Sequence, residues 1–175
     1  MDHFPMIARF NRWVNEKIYA EVAKLDDASY RSDAGLFFGS VHATLNHILI
    51  VDRLWTGRVE GIDRGVKSLN QILHDDFKSL QTARREEDAR LIALMDRLTP
   101  EQLQATVRYT SADGTRRMEA RVWDMLAGMF NHQTHHRGQI YSVLLQRGQK
   151  LPDIDLIYYL VEVGQAKMAA GHAVA

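Results

Sequence analysis

The sequence predicts an all-α protein, a four-helix bundle with an additional C-terminal helix. Two observations carry that expectation. Four long segments place apolar residues at the 3.6-residue spacing of one buried helix face, and period-two alternation is confined to a short stretch around Val107 and Tyr109. The 175 residues hold three prolines and no low-complexity tract, so the helices follow one another without a long linker and make a single domain, residues 1–175.

The first helix runs from Pro5 to about Leu25. Ile7, Phe10, Val14, Ile18, Val22 and Leu25 trace its buried face, Trp13 and Tyr19 widen that face into the core, and Pro5 suits a first turn. Asp26 to Gly39 reads as a loop, with a turn at Asp33-Ala34-Gly35. Ser40 caps the second helix, which runs to about Val59 and stops at Gly61. His47 sits in its densest apolar stretch, beside Ile48, Ile50 and Val51, and shares a face with Thr44, Val51 and Leu54. His42 lies about 140° around the helix from His47 and is expected at the surface or an interface.

Residues 61–74 form a connection too long for a tight reversal, with Val66 to Leu73 partly extended. Asp75 or Asp76 caps the third helix, which continues to about Leu98 and buries Phe77, Leu80, Leu91, Leu94, Met95 and Leu98. Its middle, Arg84 to Arg90, is nearly all charged and is expected to be solvated. Thr99-Pro100 opens one short turn. Val107 and Tyr109, a turn at Ala112-Asp113-Gly114 and Met118 on the return describe a small hairpin. The fourth helix spans about Arg121 to Gln146 and ends before Gly148. A last helix covers about Asp155 to Met168, and the chain frays from Ala169.

Composition excludes several classes. Lys+Arg and Asp+Glu both number 22, so the formal net charge is zero and no basic footprint invites nucleic acid. There is no cysteine, hence no disulfide and no thiolate site, which fits a reducing compartment such as the cytoplasm. Met1-Asp2-His3-Phe4-Pro5 lacks the basic and apolar segments of a signal peptide. No run reaches 18 apolar residues, so no membrane span is expected.

The fourth helix carries the chemistry. Val122, Leu126, Met129, Ile140, Val143 and Leu144 form its apolar stripe, and His132 and His136 interrupt the middle of it one turn apart. Residues four apart on a helix face the same way at about 5–6 Å. Two such imidazoles can share a metal ion, which zinc would bind at about 2.0–2.1 Å. Two ligands are too few, and His47 is the candidate third. Three neutral imidazoles leave the charge of a divalent ion uncancelled and a coordination position open, the arrangement of catalytic rather than structural sites. Such an ion lowers the pKa of a bound water to about 7 or polarises an anionic substrate. Imidazole suits zinc, nickel, iron and copper alike.

Two known signatures fail here. Gln133 stands where a His-Glu-x-x-His protease has its carboxylate. Thr44, Met129 and Gln133 stand where a di-iron bundle has glutamates. His135 points about 100° away from its ligand neighbour and is either a supporting group or proton shuttle, or a surface residue. Arg137 and Gln139 can hydrogen-bond groups around the site. Asp52 is either an orienting carboxylate or, by preference, a structural ion-pair partner. Gly128 and Gly138 cost about 1 kcal/mol each in a helix, an expense that close packing or ligand access would offset.

Asn131-His132-x-x-His135-His136-Arg137-Gly138-Gln139, preceded by Leu45-Asn46-His47-Ile48-x-x-x-Asp52-x-x-Trp55 and by Phe10-Asn11-x-Trp13-x-Asn15, resembles the DinB/YfiT-like family of metal-dependent helical-bundle enzymes. The resemblance spans about residues 4 to 165, in order. It implies an up-down-down-up bundle, often a homodimer, and a divalent ion held by three histidines at His47, His132 and His136. Zinc or nickel leads the choice of ion, with iron or manganese behind. Relatives in the family include S-transferases and isomerases that use low-molecular-weight thiols, so the resemblance implies a small-molecule substrate, a thiol-dependent S-transferase or a hydrolase. The alternative is a non-catalytic bundle that a metal stabilises, acting in stress response or partner binding.

Overall fold

Four long helices carry the chain, and the computed structural model describes residues 3–168 of it. In chain order these are α1 (His3–Val22), the short α2 (Asp27–Arg31), α3 (Val41–Glu60), α4 (Phe77–Arg97), the short α5 (Pro100–Gln104), β1 (Thr106–Thr110), β2 (Arg117–Arg121), α6 (Val122–Gln146) and α7 (Leu156–Glu162). The fold is mostly helical with one small two-stranded sheet. Helix α1 packs on α4 and α6, and α3 packs on the same two. Among the described residues, no helix is long and apolar enough to cross a membrane.

Capping chemistry sets most boundaries. Ser40, Asp76 and Thr99 each accept a backbone N–H from the first turn of α3, α4 and α5. Thr99 completes a capping box with Gln102, and Pro100 opens that helix. Gly61 ends α3 with φ of 69°, a left-handed conformation that glycine adopts without a Cβ penalty. The hairpin is antiparallel, with Val107 opposite Ala120 and Tyr109 opposite Met118. The apolar stripes meet in two clusters. One joins Val14, Ile18, Leu45, Leu49, Leu80, Ile140 and Leu144. The other joins Phe4, Leu91, Leu94, Leu126 and Met129.

Several expectations need correction. The first helix ends at Val22, and the segment read as a loop contains α2, capped by Asp26. The final helix is only Leu156–Glu162. The residues from Ala169, read as frayed, and Met1-Asp2 lie outside the described residues. His42 is buried: its Nε2 meets the His74 carbonyl at 3.2 Å, and its ring sits edge-on to Tyr30. Gly128 and Gly138 are not close-packing devices, because a Cβ at either would meet nothing within 4 Å.

The largest correction concerns the charged middle of α4. Arg84, Glu87 and Asp88 are 2, 3 and 1% exposed. Burying charge is costly unless each group is paired and hydrogen-bonded, and here partners come from α3 and α1, with α6 holding the α1 asparagines. Arg84 donates to Asp52 of α3 and lies 3.1 Å from Asp88. Asn15 and Asn11 of α1 donate to Asp88 at 2.9 and 3.3 Å. Arg137 of α6 donates to the Asn11 side chain and to Asn15. Glu87 faces Arg53 of α3 at 3.7 Å. Asp52 is thus the structural ion-pair partner, and polar groups tie α1, α3, α4 and α6 together through the middle of the fold.

Candidate metal centre

Helices α3 and α6 pack side by side, and their histidine faces meet. His47 projects from α3, and His132 and His136 from successive turns of α6. One ring nitrogen from each lies within 4.8 Å of the other two. The Nε2 atoms of His47 and His132 are 3.0 Å apart. Ring centroids are separated by 5.0, 4.8 and 4.5 Å around the triangle. The three residues singled out from the sequence are therefore brought to one point.

Two of the three imidazoles are oriented by neighbouring acceptors. His47 Nδ1 sits 2.7 Å from the Leu69 carbonyl, which can only accept, so Nδ1 carries the proton and Nε2 presents a lone pair. Gln139 Oε1, also an acceptor, meets His136 Nδ1 at 2.8 Å and fixes the same tautomer there. His132 Nδ1 is buried with no hydrogen-bond partner. Burial pushes all three basicities down, to about 4 for His47 and about 3 for His132, with the neighbouring imidazoles adding repulsion. All three rings are neutral at pH 7, the state a metal requires.

The donor set fits a divalent ion. Two nitrogens at about 2.0–2.1 Å from a tetrahedral ion stand about 3.4 Å apart, close to the observed 3.0 Å of the His47–His132 pair.

The long connection after α3 has a task that its composition did not reveal. Asn46, next to His47, accepts the backbone N–H groups of Leu73 and His74 at 2.9 and 3.0 Å and donates to the His74 carbonyl at 3.1 Å. That stitching lays the connection along α3 and brings the Leu69 carbonyl to His47. An asparagine in the interior of an apolar helix was the available signal.

His135 is exposed, sits edge-on to His136 with ring centroids 4.9 Å apart, and accepts from Gln139 Nε2 at 3.2 Å while Gln139 Oε1 holds His136. Arg137 turns the other way, into Asn11 and Asn15, and makes no contact with the histidines. Gln133, between the two α6 ligands, is buried and donates to Asp52. Phe38, unremarked in the sequence because it lies in a loop without periodicity, stacks on His47 with centroids 3.8 Å apart and reaches His136 at 5.6 Å.

Comparison with known proteins places the fold and the family. A sequence model described as the DinB family matches residues 1–167. Protein DinB of Bacillus subtilis (strain 168) is 25% identical over 160 residues, covering 86% of this chain and 90% of that protein. The crystal structure of a DinB-like protein from Bacillus subtilis, YjoA, superposes with a TM-score of 0.62 at 16% identity, covering 85% of this chain and 96% of that one. At that identity the likeness speaks for the fold alone.

Proposed function

We propose a divalent-metal-dependent enzyme, and the premise is plain: this chain belongs to the DinB family. The observation that carries the proposal is the convergence of His47, His132 and His136, three neutral imidazoles able to hold an ion. Zinc or nickel suits the nitrogen set best. When bound, the ion supplies a Lewis acid that acidifies a thiol or water brought to it.

The chain's own residues do the rest. Leu69 and Gln139 hold two imidazoles in the tautomer that directs Nε2 inward. Gln139 also donates to the exposed His135, so the residue that orients His136 is itself held from the surface side. The reaction we propose is a thiol-dependent S-transfer or a hydrolysis on a small-molecule substrate, the first with a low-molecular-weight thiol. The four long helices read as an up-down-down-up bundle with an added C-terminal helix, one domain, cytoplasmic and homodimeric.

The test begins with metal content per chain by mass spectrometry, for the wild type and for His47→Ala. About one ion per chain, lost in the variant, supports the site and opens a screen of thiol-transfer activity with that metal. Wild-type protein that binds no zinc, nickel or manganese would end the proposal.

The burial of His47 and His136, 3 and 6% exposed, favours one second reading. In it the ion only braces α3 against α6, and the protein acts in stress response or partner binding. Chelation would then lower the melting temperature with no turnover found for any thiol.

A further inference from the structure

The loop that joins α2 to α3 reaches the histidine triangle with an aromatic side chain, Phe38. Its central residues are Ala34-Gly35-Leu36-Phe37-Phe38-Gly39. The loop is closed on itself by Ala34 N–H to the Gly39 carbonyl and Gly39 N–H to the Leu36 carbonyl, both 2.8 Å. Gly35 and Gly39 have φ of 66° and 79°, which lets the chain turn sharply at both ends. Phe38 is the inner residue. Its ring lies nearly parallel to His47, 24° between planes, and also approaches His136. Phe37 is the outer one, 84% exposed and packed edge-on against Phe38 with centroids 4.9 Å apart.

A single exposed phenylalanine is ordinary on a protein surface. Phe37 differs because its ring is continuous, through Phe38, with a histidine of the candidate centre. Phe38 thus covers one face of an imidazole that would hold the ion, and a molecule approaching the ion past this loop would meet Phe38 and then the exposed Phe37. No side chain of residues 34–39 offers a hydrogen-bond donor or acceptor, whereas His135 and Gln139 supply polar groups beside His136.

We infer that Phe37 and Phe38 form the substrate-recognition wall of the metal centre, and that it takes a molecule with an ion-binding polar head and an apolar, preferably aromatic, body. This rests on the metal-dependent reading above and adds the class of substrate to it. Aromatic rings favour edge-to-face and offset contacts with other rings, and two rings set edge-on to each other offer both a face and an edge.

The experiment uses the full chain loaded with zinc, its ion content measured first. Calorimetric titration then compares two ion-binding probes with the same head, acetohydroxamate and benzohydroxamate. The wild type should bind the aromatic probe about tenfold more tightly, since partial burial of a ring is worth that much. Phe37→Ala, a change at an exposed position that leaves the fold intact, should weaken benzohydroxamate about two- to tenfold and leave acetohydroxamate unchanged. Phe38→Leu, which keeps an apolar group over His47, should reduce the same preference. A zinc-loaded chain that binds both probes with no aromatic preference, or loses both equally in Phe37→Ala, overturns the inference alone. A chain that binds no zinc overturns the metal reading and the inference with it. If Phe37→Ala changes the molecular mass in light scattering but neither affinity, Phe37 belongs to a contact between copies and the inference is wrong.

Discussion

Gln133 donates its side-chain amide to the buried carboxylate of Asp52, so the residue between the two α6 histidines is anchored to the helix that carries the third. The same carboxylate accepts from Arg84 of α4. Asp52 therefore does two things at once: it neutralises a buried cation and fixes the rotation of α6 against α3.

Asp52→Ala should be costly on both counts. It leaves the Gln133 amide without its acceptor and Arg84 with Asp88 alone, and removing one partner of a buried ion pair costs about 3–5 kcal/mol. Urea denaturation should show a lower midpoint at unchanged slope. A midpoint within error of wild type would mean that the network does not hold the helices together.

Gln139→Ala should weaken metal binding while preserving its stoichiometry. The variant frees His136 Nδ1 from its 2.8 Å partner, and losing a group that orients a ligand costs about 10–100-fold in affinity. Competition against a chromophoric chelator measures this. The saturated variant should still hold as much ion as wild type, which separates an orienting role from a ligand role.

The metal-free protein should lose stability as pH falls from about 6.5 toward 4. Burial holds His47 down to about 4 and His132 down to about 3 in the fold, against about 6.5 in the unfolded chain. Below pH 6.5 the unfolded state binds protons that the native state refuses, so unfolding is favoured; above it the effect vanishes. Melting curves across this range should slope accordingly, and His132→Leu should flatten the slope.

Gly57→Ala and Gly128→Ala should have opposite signs. A Cβ at Gly57 would stand 2.5 Å from the Ile62 carbonyl oxygen and 2.8 Å from Arg64 Cγ, where α3 turns into the following connection. Overpacking of that kind costs about 1–3 kcal/mol. Gly128 has open space and a helical backbone, so alanine there should add about 1 kcal/mol. Thermal melts of the two variants decide it.

What the sequence disclosed and what it hid follow a physical division. Caps and periodicity are local, so Ser40, Asp76 and Thr99 marked their helices, and the four-residue step from His132 to His136 marked half the centre. His47 became legible only because that half was incomplete. The charges of α4 were misread because the periodicity of one helix contains no trace of its partners; Arg84 looks solvated until Asp52 and Asp88 are seen around it. His42 was misplaced for the same reason, its partner being a carbonyl of the next connection. Phe38 and the Leu69 carbonyl escaped altogether, since loops announce their turns but not where those turns come to rest.

The distance along the chain between the two halves of the centre has a kinetic meaning. His47 and His132 are separated by 85 positions, and only their joining completes the triangle. Before α3 and α6 meet, the chain would offer an ion no more than the α6 pair, so the full three-nitrogen affinity would arise only with assembly. Zinc should accordingly leave the rate of refolding unchanged and slow unfolding, the pattern of an interaction made only beyond the folding barrier. In that sense a bound ion would work as a latch on a finished protein.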